Sequence, residues 1–328
     1  MTAQRITQIL LPADVSFLRC PSCAGSLEPR GPEQLACAGC GGSYPVRLGI
    51  PRFIADESYA ANFGYQWRLH SRTQLDRHSG LSISRDRFHR QTGWKLEELR
   101  GKRVLEVGCG AGRFTDIVLG AGAEVWAIDL SLAIEANLEN HPETQSLRLI
   151  QADLHRLPFA KDSFDFVFCF GVLQHTADPC RAFGSLVPFL KPGMGRIAVD
   201  IYPRSLRFLL HPKYLLRPLT RRMSKEKLYD LIRRRARSLL ALSDFLHGIP
   251  LLGKHLARLV PIANYRSVFA LPDTMLLDWA VLDTFDWLSP RYDRPATLAQ
   301  LRSWLHEARL TDVEALDQVV YVGRGRRA

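Results

Sequence analysis

At 328 residues, with 46% apolar and 23% charged residues, the chain has the composition of a globular protein able to bury a sizeable core. Its longest apolar runs, such as "FDFVFCFGVL" at 164–173, fall far short of the ~18–20 residues of a membrane span, and the N-terminal stretch has no signal-peptide pattern, so a cytoplasmic protein is expected. The formal charge of +11 is local: residues 203–260 carry fourteen Lys and Arg against Glu226, Asp230 and Asp244, so overall basicity becomes a question about one segment.

Residues 1–55 form a unit dense in Cys, Gly and Pro. Cys20 and Cys23, then Cys37 and Cys40, make two C-x2-C pairs separated by thirteen residues. Four thiolates so spaced can close tetrahedrally on Zn²⁺ with Zn–S bonds of about 2.3 Å. Gly25, Gly39, Gly41 and Gly42 suit the tight turns that aim backbone N–H groups at the sulfurs. Two disulfides or a redox dithiol fit two matched pairs in a reducing compartment poorly. With every ligand supplied by the chain, such a metal is structural. The other cysteines, Cys109, Cys169 and Cys180, sit in apolar or turn segments.

Residues 56–101 read as a helical lead-in containing "FGYQW". From 102 to 203, strand-like runs at 102–108, 124–130, 147–153, 164–171 and 195–202 alternate with helical patterns, which implies a parallel sheet covered on both faces. A basic, Leu-rich helical block at 204–280 interrupts this unit, which resumes over 281–328. There "ATLAQLRSWLHEARL" has helical spacing with Thr297 as N-cap, and "DVEAL" and "QVVYVGR" read as closing strands. The sequence thus predicts an α/β protein with a small four-cysteine zinc domain and a helical insert.

The informative turn is "RVLEVGCGAGRFT", residues 103–115. Its glycines, Gly108, Gly110 and Gly112, read G-x-G-x-G, whereas a dinucleotide fingerprint has G-x-G-x-x-G; Arg113 stands where close packing against a pyrophosphate is needed. Glu106, inside the strand, is read as a negative charge beside the loop that repels phosphate and attracts a cation. Asp129 ends the second strand, placed to accept both ribose hydroxyls, and Asp153 at the tip of the third can accept an adenine amino group. This is a nucleoside site without a phosphate clamp, which suits S-adenosylmethionine.

In register, "VLEVGCGAGRF", Asp129, "QADLHRLPF", "FDFVFCFGVLQHTADP" and "LKPGMG" resemble the class I S-adenosylmethionine-dependent methyltransferases of the type 11 group. The resemblance implies a Rossmann-like seven-stranded sheet with an antiparallel last strand. It also implies a cofactor held by Glu106, Gly108, Cys109, Gly110, Gly112, Asp129, Leu130, Asp153, Leu154 and Phe170. Tyr65 and Trp67 of the lead-in either cover the cofactor's positive centre as a flap or pack as an ordinary helix. Residues 16–55 are similar to the small zinc-binding activator subunit of tRNA and rRNA methyltransferases, through "CPSCAGSL" and "CAGCGGSYPVRLGIPRF".

Methyl transfer requires alignment and, for a hydroxyl or amine acceptor, removal of a proton. His175, just past the fourth strand, is the best-placed base, or else a structural contact of the cofactor loop. The fourth strand leads into "FGVL", not the N/D-P-P-Y/F block of many amino-group methyltransferases. Asp286, Trp287, Arg291 and Tyr292, read as a short loop at the pocket mouth, are the expected acceptor contacts. The insert overhangs the acceptor side as a substrate cap, with Leu228, Leu231, Ile232, Leu239 and Leu242 near one face of a helix. Its basic residues suit an anionic substrate, a peripheral membrane surface, RNA or a solvated face. A small-molecule acceptor is the expected partner; an rRNA or tRNA base methyltransferase and a non-catalytic activator are the rival readings.

Overall fold

The computed structural model describes residues 10–54, 60–142, 144–205, 208 and 210–328. The zinc-type unit is a short helix, α1 (Pro12–Phe17), and a four-stranded antiparallel sheet of β1 (Leu27–Pro29), β2 (Gln34–Cys37), β3 (Ser43–Arg47) and β4 (Ile50–Pro51). The two C-x2-C pairs lie in the turn before β1 and in the turn that closes β2. The lead-in comprises α2 (Ala61–Leu69), α3 (Asp76–Ser79) and α4 (Ile83–Thr92).

The main sheet has β5 (Arg103–Val107), β6 (Glu124–Asp129), β7 (Leu147–Gln151), β8 (Phe166–Cys169), β9 (Arg196–Ile201), β10 (Leu310–Asp317) and β11 (Tyr321–Arg327). Their order is β10-β11-β9-β8-β5-β6-β7; the five strands β5–β9 are parallel, and β11 runs antiparallel to both β9 and β10. The expected seven-stranded sheet with an antiparallel last strand is present. Each parallel strand matches its sequence reading to within one or two residues at either end.

Burial explains the near-continuous apolar runs. Residues of one parity (Leu105, Val107, Trp126, Ile128, Val167, Cys169) enter one core with α1 and α12 (Leu298–Glu307). Residues of the other parity (Val104, Val125, Ala127, Phe166, Phe168) enter a second core with α4, α5 (Thr115–Gly120) and α6 (Ala133–Asn140). Period-2 alternation with both faces apolar is what a parallel sheet between helices requires. α7 (Pro179–Gly184), capped by Asp178, completes the crossover to β9.

The insert is a helical cap built from α8 (Lys213–Thr220), α9 (Lys225–His247) and α10 (Gly253–Ala257) packed on α11 (Asp273–Leu288). Two expectations are corrected here. α11 crosses the boundary drawn at 280/281, because its buried face runs without a break from Leu276 to Leu288. On α9 the buried residues include Leu228, Tyr229, Ile232, Ala236 and Leu240, with Leu239 partly buried; Leu231 and Leu242 are exposed.

The zinc-type unit adds to the β7 side of the sheet. Arg52 bridges Gln151 in parallel, with Phe53 N–H donating to the Gln151 carbonyl (2.8 Å). The buried Arg52 guanidinium reaches Gln151 Oε1 and Glu135 Oε1, both at 2.8 Å. Phe17 of α1 packs on Trp126 with ring centroids 4.7 Å apart.

Candidate active site

β5 lies where the strand order reverses, with β6 and β7 to one side and β8 and β9 to the other. In open α/β sheets, ligands bind beyond the carboxyl ends of the strands at such a point. Here a cavity of about 1010 Å³ opens there. Its floor is Val107–Gly110, Ile128–Leu130, Ala152, Leu154 and Phe170–Val172; its roof is α2, α4, the Tyr265–Phe269 segment and α11. Pockets for drug-sized ligands run ~300–1,000 Å³, so there is room for a nucleoside-sized ligand and a second molecule beside it.

The three glycines are required by geometry. All have positive φ (76°, 52° and 93°). A Cβ on Gly108 would overlap the Val172 side chain, one on Gly110 would press on the Trp67 indole at 3.1 Å, and one on Gly112 would meet Asn137 Oδ1 at 2.6 Å. Asp129 fixes the loop: Oδ2 accepts the Gly110 N–H (2.9 Å) and Oδ1 accepts from the Ser131 N–H and hydroxyl (2.8 and 2.7 Å). A half-buried carboxylate therefore sits on the cavity floor beside the glycine loop.

Gly108, Cys109, Gly110, Asp129, Leu130, Leu154 and Phe170 all line this cavity, as the sequence reading places them. Trp67 lies in it too, over Gly110. Tyr65 does not. Residues two positions apart on a helix point to nearly opposite sides, and Tyr65 packs instead on Tyr229 and Phe285 of the cap (ring centroids 5.8 and 6.2 Å). Gly112 underlies the loop without lining the cavity. Asp153 is not among the lining residues; its carboxylate accepts the His155 N–H (2.9 Å) and caps a short 3-10 turn.

Glu106 is the main correction. It is buried away from the cavity, accepts a hydrogen bond from Thr115 Oγ1 (2.5 Å), and burial pushes its carboxyl up to about 8. At neutral pH it is mainly protonated and supplies little charge to the loop. The negative group on the floor is Asp129.

Two polar clusters face the cavity from above. His175, buried, engages the Tyr292 carbonyl through Nδ1 (3.1 Å). A carbonyl only accepts, so Nδ1 carries the hydrogen and Nε2 of the neutral ring presents its lone pair. That Nε2 has no hydrogen-bond partner and lies 3.9 Å from Asp286 Oδ2. Asp286 accepts from Gln66 Nε2 and from the Tyr202 hydroxyl, both at 3.3 Å. In the second cluster, Asp283 accepts from Gln74 Nε2 (3.1 Å) and from the Tyr265 hydroxyl, and burial raises its carboxyl to about 6. Arg113 donates to Ser84 Oγ and Gln74 Oε1, both at 2.8 Å, and lies over Phe114 and Trp279. Burial lowers its guanidinium to about 9, with the Arg87 charge acting in the same direction.

Asp286 and Trp287 line the cavity as expected, but from helix α11 and not from a loop. Arg291 and Tyr292 do not line it: Arg291 lies over the Tyr292 ring, and only the Tyr292 backbone contributes, through His175. The sequence reading misses Gln66, Gln74, Tyr202, Tyr265 and Trp279, and takes Arg113 only as an obstacle to phosphate. The signal for α11 is the helical spacing of Trp279, Asp283, Asp286 and Trp287.

The second candidate site holds its donors together. The sulfurs of Cys20, Cys23, Cys37 and Cys40 all lie within 4.8 Å of one another, with Cys20–Cys40 at 3.7 Å and Cys23–Cys37 at 3.4 Å. A tetrahedron with Zn–S bonds of about 2.3 Å has edges of about 3.8 Å, so the set fits that ion. Gly39 N–H and Cys40 N–H point at Cys37 Sγ (3.3 and 3.5 Å), and the Tyr44 hydroxyl lies 3.0 Å from Cys20 Sγ.

The glycine loop and the strand-end carboxylate thus meet at the switch point of a doubly covered sheet, the place where open α/β sheets bind their ligands. Residues 105–199 match the family described as "Methyltransferase domain". A ubiquinone biosynthesis O-methyltransferase of Coxiella burnetii (strain Dugway 5J108-111) is 31% identical over 115 residues, 34% of this chain and 49% of that one. An O-methyltransferase of Aspergillus nomiae, rstn1, is 27% identical over 133 residues, 39% and 59% of the two chains. The chain thus spans about half the length of the curated relatives it matches. Among solved structures, magnesium protoporphyrin IX methyltransferase from Synechocystis PCC 6803 aligns over 83% of this chain and 98% of that one, at 15% identity and a TM-score of 0.45.

Proposed function

We propose that this chain is an S-adenosylmethionine-dependent methyltransferase acting on a small or medium-sized metabolite. The observation that carries the reading is the Gly108–Gly110 turn locked by Asp129 at the sheet's switch point. S-adenosylmethionine supplies a methyl group already activated by its positive sulfur. Asp129 offers the carboxylate that takes ribose hydroxyls, Leu130 and Leu154 flank the place for the base, and Trp67 covers the loop. Nothing on the floor forms a cationic phosphate cradle among the described lining residues, where Arg113 is turned toward Ser84 and Gln74.

On the acceptor side, His175 Nε2 receives the proton of a hydroxyl or amine acceptor. Asp286 stabilises the resulting imidazolium, and the Tyr292 carbonyl holds the ring's orientation. The Tyr265–Phe269–Trp279 wall and the Arg113 guanidinium suit a planar acceptor with a polar or anionic edge. We also assign a structural Zn²⁺ to the four cysteines.

Calorimetric titration tests the cofactor assignment. S-adenosylhomocysteine is expected to bind the wild-type chain, with Asp129→Ala and Trp67→Ala each weakening it at least about tenfold, since each removes a charged or stacked contact. Binding of a nicotinamide dinucleotide in its place, or no binding by the folded chain, would overturn the reading.

A further inference from the structure

Helix α8 is amphipathic in the inverse sense. Lys213 and Arg217 are 3% and 7% exposed, whereas Leu215 and Leu219 are 84% and 67% exposed. The inward cations are fully used. Lys213 pairs with Asp293 (2.8 Å) inside a cage of Tyr202, Phe208 and Tyr214, its Nζ 4.5–4.8 Å from their centroids. Arg217 donates to the Trp287 and Pro290 carbonyls (2.9 and 2.8 Å), and Thr220 to the Leu288 carbonyl (2.9 Å), so this face closes the C-terminal end of α11. The leucines are left to face outward.

They are not alone. Of the fifteen exposed large apolar side chains among the described residues, eleven lie between 210 and 268, including Phe245, Ile249, Leu251 and Leu252 around the α9–α10 turn. Leu251 is 98% exposed. The overlapping stretch 203–260 holds the chain's entire excess of positive charge, and Arg221, Arg222, Arg233–Arg235, Arg237, Lys254 and Arg258 are all exposed. Arg258 approaches His211 closely enough for its charge to act on that ring, which brings the end of α10 to the start of α8.

We propose that the cap is a peripheral membrane-docking surface, its outward leucines entering the interfacial region of an anionic bilayer while the flanking Lys and Arg meet the headgroups. Exposed apolar groups and exposed cations along one segment match that interface, where burial of apolar area and attraction to anionic lipid act together. RNA would engage the cations and leave the leucines in water. A second copy of this chain would set two strongly positive surfaces against each other. This inference is independent of the methyltransferase reading, since it uses none of the cavity residues proposed to act on the cofactor or acceptor.

The test is co-sedimentation of the full chain with vesicles of phosphatidylcholine alone and of equal parts phosphatidylcholine and phosphatidylglycerol. Circular dichroism of each variant serves as the check on folding. Wild type is expected to sediment with the anionic vesicles and not the neutral ones. The double variant Leu215→Ser/Leu219→Ser should bind them about tenfold or more weakly, because insertion strength follows the apolar area buried. Arg221→Gln/Arg222→Gln should flatten the salt dependence. Three results would overturn the proposal: a folded wild type that ignores anionic vesicles, a leucine variant that binds them as well as wild type, or tighter salt-dependent binding to bulk RNA than to vesicles.

Discussion

Glu106 is one link in a buried chain: Asn137 Nδ2 donates to Thr115 Oγ1 (2.9 Å), which donates to Glu106, while Asn137 Oδ1 meets His141 Nδ1 (2.8 Å). Burial raises the Glu106 carboxyl from about 4.5 to about 8, so its contribution to stability is fully present below the unfolded value and lost as pH rises through the folded one. Unfolding free energy should therefore fall between about pH 4.5 and 8 by up to a few kcal/mol. Glu106→Gln should flatten that slope and be more stable than wild type at pH 8.5. Urea unfolding at pH 5.5 and 8.5 measures both; equal slopes for the two proteins would refute the assignment. The position is legible in principle. Val104 faces the α4–α6 core and Leu105 and Val107 the other, so alternation sets Glu106 on the α4–α6 face of a strand buried on both sides. Reading it as a charge beside the loop neglects that period.

At the scale of elements, legibility follows periodicity. The parallel strands stand out because both faces are apolar, and Thr297 does cap α12: its hydroxyl accepts the Gln300 N–H (3.1 Å) while Gln300 Oε1 accepts the Thr297 N–H (2.9 Å). Thr297→Ala should cost about 1 kcal/mol in urea unfolding, with cofactor affinity unchanged because α12 packs on β10 and β11, away from the cavity. α11 is hidden by its ending. "DTFDWLSPRYDRP" mixes acids, aromatics and two prolines and resembles a loop, yet its first half is the last turn and a half of a helix. Tyr65 and Trp67 look like a pair because they are close in sequence, although a helix separates them; Trp67 goes to the glycine loop and Tyr65 to the cap. What cannot be read at all is which distant side chains meet, such as Gln66 with Asp286 or Gln74 with Asp283, 220 and 209 residues apart.

For the whole molecule, the zinc-type unit shares one apolar core with the sheet: Val15, Leu18, Cys20 and Leu35 belong to the same cluster as Trp126, Val167 and Leu301. None of its described residues lines the large cavity. The purified protein is expected to contain one zinc per chain. A strong chelator, or Cys37→Ser, should lower the melting temperature by several degrees, whereas a metal-free chain whose melting ignores the chelator would refute the assignment. The path of Arg52 and Phe53 alongside Gln151 gives the unit a further consequence. An open sheet whose outermost strand has bare amides is a template on which other chains can add. Here the linker leaving the cysteine knuckles lies along the end of that strand, its Phe53 N–H taken up by the Gln151 carbonyl. Losing the ion would unsheathe it, and the first sign of demetallation would be self-association seen as light scattering, ahead of any loss of helix.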